Sequence, residues 1–211
     1  MAITTYSELT AAVANWLDRT DLSSRIPEFI TLAEGHLDRV LRSRELITRA
    51  TANVDEQYEN LPRDFAEEIR LSLTSSNLTF QLKSMSPASL IAQFPDNTSG
   101  TPRAYAIVGP QIQFAPVPDA AGSLTMELTY YSKVSFFALS DSNTTNVILD
   151  QHKDIYLYGT LAEAAPFLMD DRAAQRYVAL RDAAVARANQ ANDDASYGGT
   201  LQMTHGMRNI A

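Results

Sequence analysis

The sequence predicts an α+β fold: an antiparallel helical bundle formed by N- and C-terminal helix pairs, a central β-rich domain and an extended C-terminal tail. Three observations carry this expectation. Apolar residues recur at helical spacing near both ends of the chain, the spacing changes to alternation in the middle, and periodicity stops at Asp193. The boundaries are drawn at residues 1–45, 46–145, 146–192 and 193–211.

The first helix opens on Thr5-Tyr6-Ser7-Glu8, a capping box in which threonine and glutamate satisfy backbone donors that the helix start leaves free. Leu9, Val13, Trp16 and Leu17 then share a face, which assigns Trp16 to the core, and the helix ends near Asp18–Asp21. Pro27 suits the first turn of a second helix, where its missing N–H would be unpaired anyway. Phe29, Ile30, Ala33, Leu37, Val40 and Leu41 form that helix's apolar stripe, and Gly35 reads as a point of close approach.

Ile47–Val54 has β-like residues in loose alternation. Leu61-Pro62-Arg63-Asp64-Phe65 is a turn, and Glu68–Leu73 with Leu78–Leu82 reads as a hairpin. Ser86 followed by Pro87 starts a short helix. Pro95–Pro102 is a loop. Tyr105–Val108, Gln111–Ala115 and Leu124–Tyr131 are strands, with Gly109-Pro110 linking the first two and Asp119–Gly122 turning into the third. Leu124, Met126, Leu128 and Tyr130 alternate with polar or small residues, so one face of that strand is buried.

After the polar loop Ser140–Asn146, Asp150 is the expected cap of a helix reaching about Met169. Asp170-Asp171 breaks it and caps the last helix, whose face of Tyr177, Leu180, Ala184 and Ala188 is thin and alanine-rich. Tyr197-Gly198-Gly199 reads as a flexible joint before a sparsely apolar tail.

The chain has 211 residues, 45% of them hydrophobic, enough for one good core or two small lobes. No apolar run approaches the roughly 18–20 residues of a membrane helix, and Met1–Tyr6 lacks the pattern of a secretory leader. Cysteine is absent, which removes disulfides and thiolate metal sites and fits a reducing cytoplasm. A net charge of -8 argues against broad nucleic-acid binding, which needs lysine and arginine to neutralise phosphate.

No catalytic constellation stands out. His36, His152 and His205 lack a second ligand at metal spacing, and there is no nucleotide-binding glycine motif or nucleophile elbow. Glu67-Glu68 and Asp170-Asp171 are adjacent carboxylate pairs that invite thought of glycoside hydrolysis, but adjacent side chains diverge. The aromatics Tyr130, Tyr131, Phe136, Phe137, Tyr156, Tyr158 and Tyr177 read as core rather than as a ligand platform. The expectation is therefore no catalytic, cofactor or metal site. Charge is segregated instead: Asn53–Glu68 is acidic, whereas Arg39–Arg49 and Arg172–Arg187 are basic, an arrangement suited to pairing between subunits.

Tyr6-Ser7-Glu8-Leu9, Ala14-Asn15-Trp16-Leu17 and Ile26-Pro27-Glu28-Phe29-Ile30 resemble the head-to-tail adaptor (connector) proteins of tailed bacteriophages, especially short-tailed ones. Leu61–Phe65, Phe114–Pro118, Leu128–Tyr131 and Asp154–Gly159 follow in the family's order. The resemblance implies a structural virion protein at the head–tail junction, assembled in the host cytoplasm. It implies a ring, usually of twelve copies, beneath the portal protein. Such a ring extends the DNA channel without binding DNA specifically and supports a downstream tail or nozzle protein. It also implies that the C-terminal segment clasps the portal, which makes Tyr197, Leu201, Met203, Met207 and Ile210 the candidate portal contacts. Arg39, Arg42, Arg44, Arg172 and Arg176 are the candidate subunit contacts. The alternatives are another tail part (tail completion, nozzle or fibre docking) and, less favoured, a cell-wall hydrolase.

Overall fold

The first helix begins where its capping box dictates. The computed structural model describes residues 3–19, 21–75, 78–96, 98–119 and 124–196. In it the Thr5 hydroxyl accepts the Glu8 N–H at 3.3 Å and the Glu8 carboxylate accepts the Thr5 N–H at 3.2 Å. Such a cap contributes about 1 kcal/mol. Helix α1 (Tyr6–Leu17) closes on Asp18 in the left-handed region, and α2 (Ile26–Val40) carries Pro27 in its first turn. Leu9, Val13, Ile30 and Leu37 are completely buried. Trp16 is not: it is 45% exposed at the rim, with its ring edge-on to Tyr158 at 5.9 Å and tilted against Tyr177 at 6.5 Å. Phe136 and Phe137 also depart from the expected core, standing half-exposed on a 3-10 turn and packed edge to face on each other.

The closing helices begin earlier than their sequence suggests. Asn146, not Asp150, is the cap, its side-chain oxygen accepting the Leu149 N–H at 2.8 Å. The helix so started, α4 (Val147–Gln151), follows the short α3 (Pro87–Gln93) described below; it breaks at His152, whose backbone is non-helical at φ -131° and ψ 61°, and α5 (Lys153–Phe167) restarts. Asp170 caps α6 (Asp171–Ser196) by accepting the Ala173 N–H at 2.9 Å. Helix α6 continues beyond Asn192 to Ser196, since Asp193, Asp194 and Ala195 include no helix breaker. Residues of α1, α2, α5 and α6 form one apolar cluster that includes Leu9, Ile30, Leu37, Ile155, Leu161 and Val185.

The described residues of the middle of the chain make eight strands in two sheets. One has the order β1 (Ile47–Asn53), β8 (Leu124–Ser132), β3 (Phe65–Ser75), β4 (Leu78–Gln81). The other runs β2 (Tyr58–Asn60), β7 (Gln111–Ala115), β6 (Ala104–Val108), β5 (Lys83–Ser84). All neighbours are antiparallel except β5 and β6. The alternation in β8 buries Leu124, Met126, Leu128 and Tyr130, which meet Leu71, Ile112 and Phe114 in a core shared by both sheets. Gly109 takes φ 60° in the tight β6–β7 turn. The other face of the second sheet is covered by α3, whose cap is Ser86, through Leu90 on Ala104, Ala106 and Ala115.

The close approach expected at Gly35 occurs at Gly159 instead. A Cβ on Gly159 would meet the Ala33 Cβ at 3.5 Å, whereas one on Gly35 would meet nothing within 4 Å. Gly35→Ala should therefore stabilise the protein by about 0.5–1 kcal/mol through helix propensity alone. Gly159→Leu should destabilise it by about 1–3 kcal/mol by overpacking the α2–α5 contact. Thermal unfolding of the two variants measures both; a Gly159→Leu protein as stable as the parent would remove the packing argument.

Candidate functional site

Helical and β parts meet at a polar junction built from a few side chains. Glu34, on α2, is 1% exposed. Its Oε1 accepts the Leu139 N–H at 2.8 Å and the Tyr156 hydroxyl at 3.0 Å. The Tyr156 oxygen in turn accepts the Asn146 side-chain N–H at 2.6 Å, and Asn146 is the cap of α4. One carboxylate thereby fixes α2, α5, the start of α4 and the loop leaving the β region. Burial pushes the Glu34 carboxyl above its ordinary range, opposed by its two hydrogen bonds. Burial and the nearby Glu34 charge push the Tyr156 phenol well up.

Further contacts pin the junction. Asp38 accepts the Ser135 N–H and hydroxyl. Asn189, on α6, donates to the Val40 carbonyl at 2.9 Å and accepts the Arg42 N–H at 2.8 Å. Asn192 donates to the Tyr131 hydroxyl of β8 at 2.8 Å. His152 lies 3.5 Å from Glu45 across the same seam.

The sequence-predicted charged residues fall in different settings. Arg42 is engaged within the chain: its guanidinium lies 2.6 Å from Glu67, 5.8 Å from the Tyr131 ring centre, and donates to the Leu41 and Asp38 carbonyls. Arg42 is thus already held within the chain. Arg39, Arg44, Arg172 and Arg176 are exposed, and their side chains have no hydrogen-bond or ion-pair partner among the described residues. Tyr197, Leu201, Met203, Met207 and Ile210 lie outside the described residues, as does His205. Sequence reasoning missed Glu34, because a lone glutamate inside an apolar stripe resembles an ordinary surface position until its partners, over 100 residues away, are known.

The carboxylate pairs are placed for structure. Glu67 holds Arg42, Glu68 accepts the Ser84 hydroxyl at 2.9 Å, and Asp170 caps α6. The best-formed surface hollows among the described residues, of 230 to 410 Å³, are each lined by at most one carboxylate and none by a histidine. No group of three or more histidine, aspartate or glutamate residues among those described is placed to hold a metal ion. No described helix is long and apolar enough to cross a membrane.

The Glu34 network fixes a pH dependence. In the unfolded chain this carboxyl ionises near 4.5; in the folded chain it ionises later. Between those points the folded protein holds a proton that the unfolded one has released, so rising pH favours unfolding. Glu34→Gln keeps an oxygen acceptor for both donors and removes the charge. Its melting temperature relative to the parent should rise as pH goes from 4.5 to 8. Glu34→Ala strands two buried donors and should cost about 2–4 kcal/mol. Thermal melts across pH check both, and a parent–glutamine difference that stays constant with pH would discard the charge argument.

The match to known proteins falls on the same architecture. A search of curated proteins returned no match. The family model for SU10 adaptor protein, however, matches residues 4–204, covering the opening helices, both sheets and the closing helices that the resemblance drew on. A match over nearly the whole length shows that the chain belongs to this family of phage head-to-tail adaptors and is a structural component of the virion's head–tail junction.

Proposed function

We propose that copies of this chain assemble as a twelve-membered ring beneath the portal, extend the DNA channel and carry the next tail protein. The observation that carries this reading is the family match over residues 4–204. The helical core, Tyr6–Val40 with Val147–Ser196, forms the ring wall. The β region meets neighbouring copies and the downstream tail or nozzle protein. Arg39, Arg44, Arg172 and Arg176 serve subunit contacts.

The charge of the chain supports a conduit. A net charge of -8 disfavours lasting contact with DNA phosphate, so the polymer can slide through the lumen without being held. The tail segment, with Tyr197, Leu201, Met203, Met207 and Ile210, docks on the portal. A short segment of this kind binds weakly alone, because ordering it offsets much of its contact energy. Twelve such contacts on one ring make the joint durable through effective concentration.

Negative-stain microscopy of the protein mixed with its phage's portal ring tests the proposal, comparing the intact chain with one ending before Gly198. An added ring beneath the portal is expected with the intact chain only. Equal occupancy by the truncated chain would end the tail-docking role, and no added ring with either chain would move the protein lower on the tail.

A further inference from the structure

Met169 is 91% exposed, and its backbone is left-handed at φ 56°. The turn joining α5 to α6 imposes that conformation: the Met169 N–H donates to the Pro166 carbonyl at 3.0 Å and the Asp170 N–H to the Ala165 carbonyl at 3.2 Å. Glycine usually fills such a position, and a side chain there costs about 1–2 kcal/mol. The chain therefore accepts strain and an exposed thioether at one point. Phe167 beside it is 53% exposed. Arg172 and Arg176, in the first turns of α6, line a 290 Å³ hollow with Asp170, Ala173 and Tyr177 and have no partner among the described residues. Asp170 is committed as the helix cap, and Asp171 sits at the positive end of the helix dipole.

The converse surface lies where β1 turns into β2. Asp55, Glu56 and Glu59 stand there with Tyr58, which is 42% exposed. None of the three carboxylates has an ion-pair partner among the described residues. Burial, together with Asp55 and Glu56, pushes the Glu59 carboxyl up. One corner carries two arginines with no ion-pair partner among the described residues, beside Asp170 and Asp171; the other tip is acidic and aromatic and likewise has no ion pair among them.

No ion pair among the described residues joins the two surfaces within one molecule. The seam between helices and sheets lies at the C-terminal part of α6, where Asn189 and Asn192 bond, and at the start of β1. From Asn192 back to Arg172 the helix extends roughly 30 Å away from that seam. From Ile47 to Asn53, β1 extends roughly 20 Å from it.

We propose that the α5–α6 corner of one copy seats on the β1–β2 tip of the next, with Arg172 and Arg176 facing Asp55 and Glu56 and Met169 against Tyr58. The contact is heterologous, since each copy offers one surface of each kind, and such contacts form a ring when the rotation between copies closes. Sulfur packs favourably on aromatic rings, and the charges set register. The inference rests on the ring reading above and supplies it with a contact.

The test uses three full-length proteins: the parent, Arg172→Glu with Arg176→Glu, and Asp55→Arg with Glu56→Arg. Each is confirmed folded by circular dichroism, then scored for rings by sedimentation velocity and negative stain, alone and on the portal ring. Each reversed protein alone should assemble about tenfold or more weakly than the parent, because like charges oppose at every contact. An equal mixture of the two should recover rings, since every contact then joins opposite charges. A reversed protein that assembles like the parent, or a mixture of folded variants that fails to recover, overturns this contact while leaving the ring standing. A parent that forms no ring in either setting overturns the ring reading itself, and the contact with it.

Discussion

A buried carboxylate with no cation beside it sets the terms for the rest of the molecule. Glu34 must find donors inside the protein, because an unpaired buried charge is among the costliest features a fold can hold. Its donors come from Leu139 and Tyr156, and Tyr156 is itself positioned by Asn146. These residues sit on α2, α5 and the stretch leaving the sheets. Satisfying one side chain therefore fixes the relative placement of three segments far apart in sequence. Apolar burial around it is non-directional; the carboxylate adds direction.

The seam inherits that rigidity. Arg42 lies at the end of α2 and holds Glu67 of β3, and Asn192 of α6 holds Tyr131 of β8. Each of these bonds alone is worth little at a partly exposed site. Together they join the two cores at several points. For a head-to-tail adaptor that matters, because a subunit whose halves were hinged would pass strain poorly between head and tail.

The sequence made regular elements legible and long-range ones obscure. The capping box at Thr5, the proline at 27, the alternation in β8 and the Gly109 turn each state their structure within a few residues. The cap at Asn146 was masked by Asp150, an equally good local candidate; the bond from Asn146 to Tyr156 favours the earlier start. Trp16 fits its helical face, but α1 outlasts the core it packs on. Strands β2 and β5 have only three and two residues and exist because a partner strand pairs with them. Of the candidate contacts, Arg42 looked like its neighbours in sequence, and only the fold shows that it is already engaged.

The sheet order carries a last consequence, for solubility. An open sheet edge is a template on which other chains can add strands. Of the four edges here, β2, β4 and β5 are four residues or shorter, too brief to align an incoming strand. The fourth, β1, is longer but carries Arg49 as its third residue, drawn toward Glu127 on its neighbouring strand. The protein thus offers incoming chains little on which to grow a fibril, whatever the concentration at which its subunits wait.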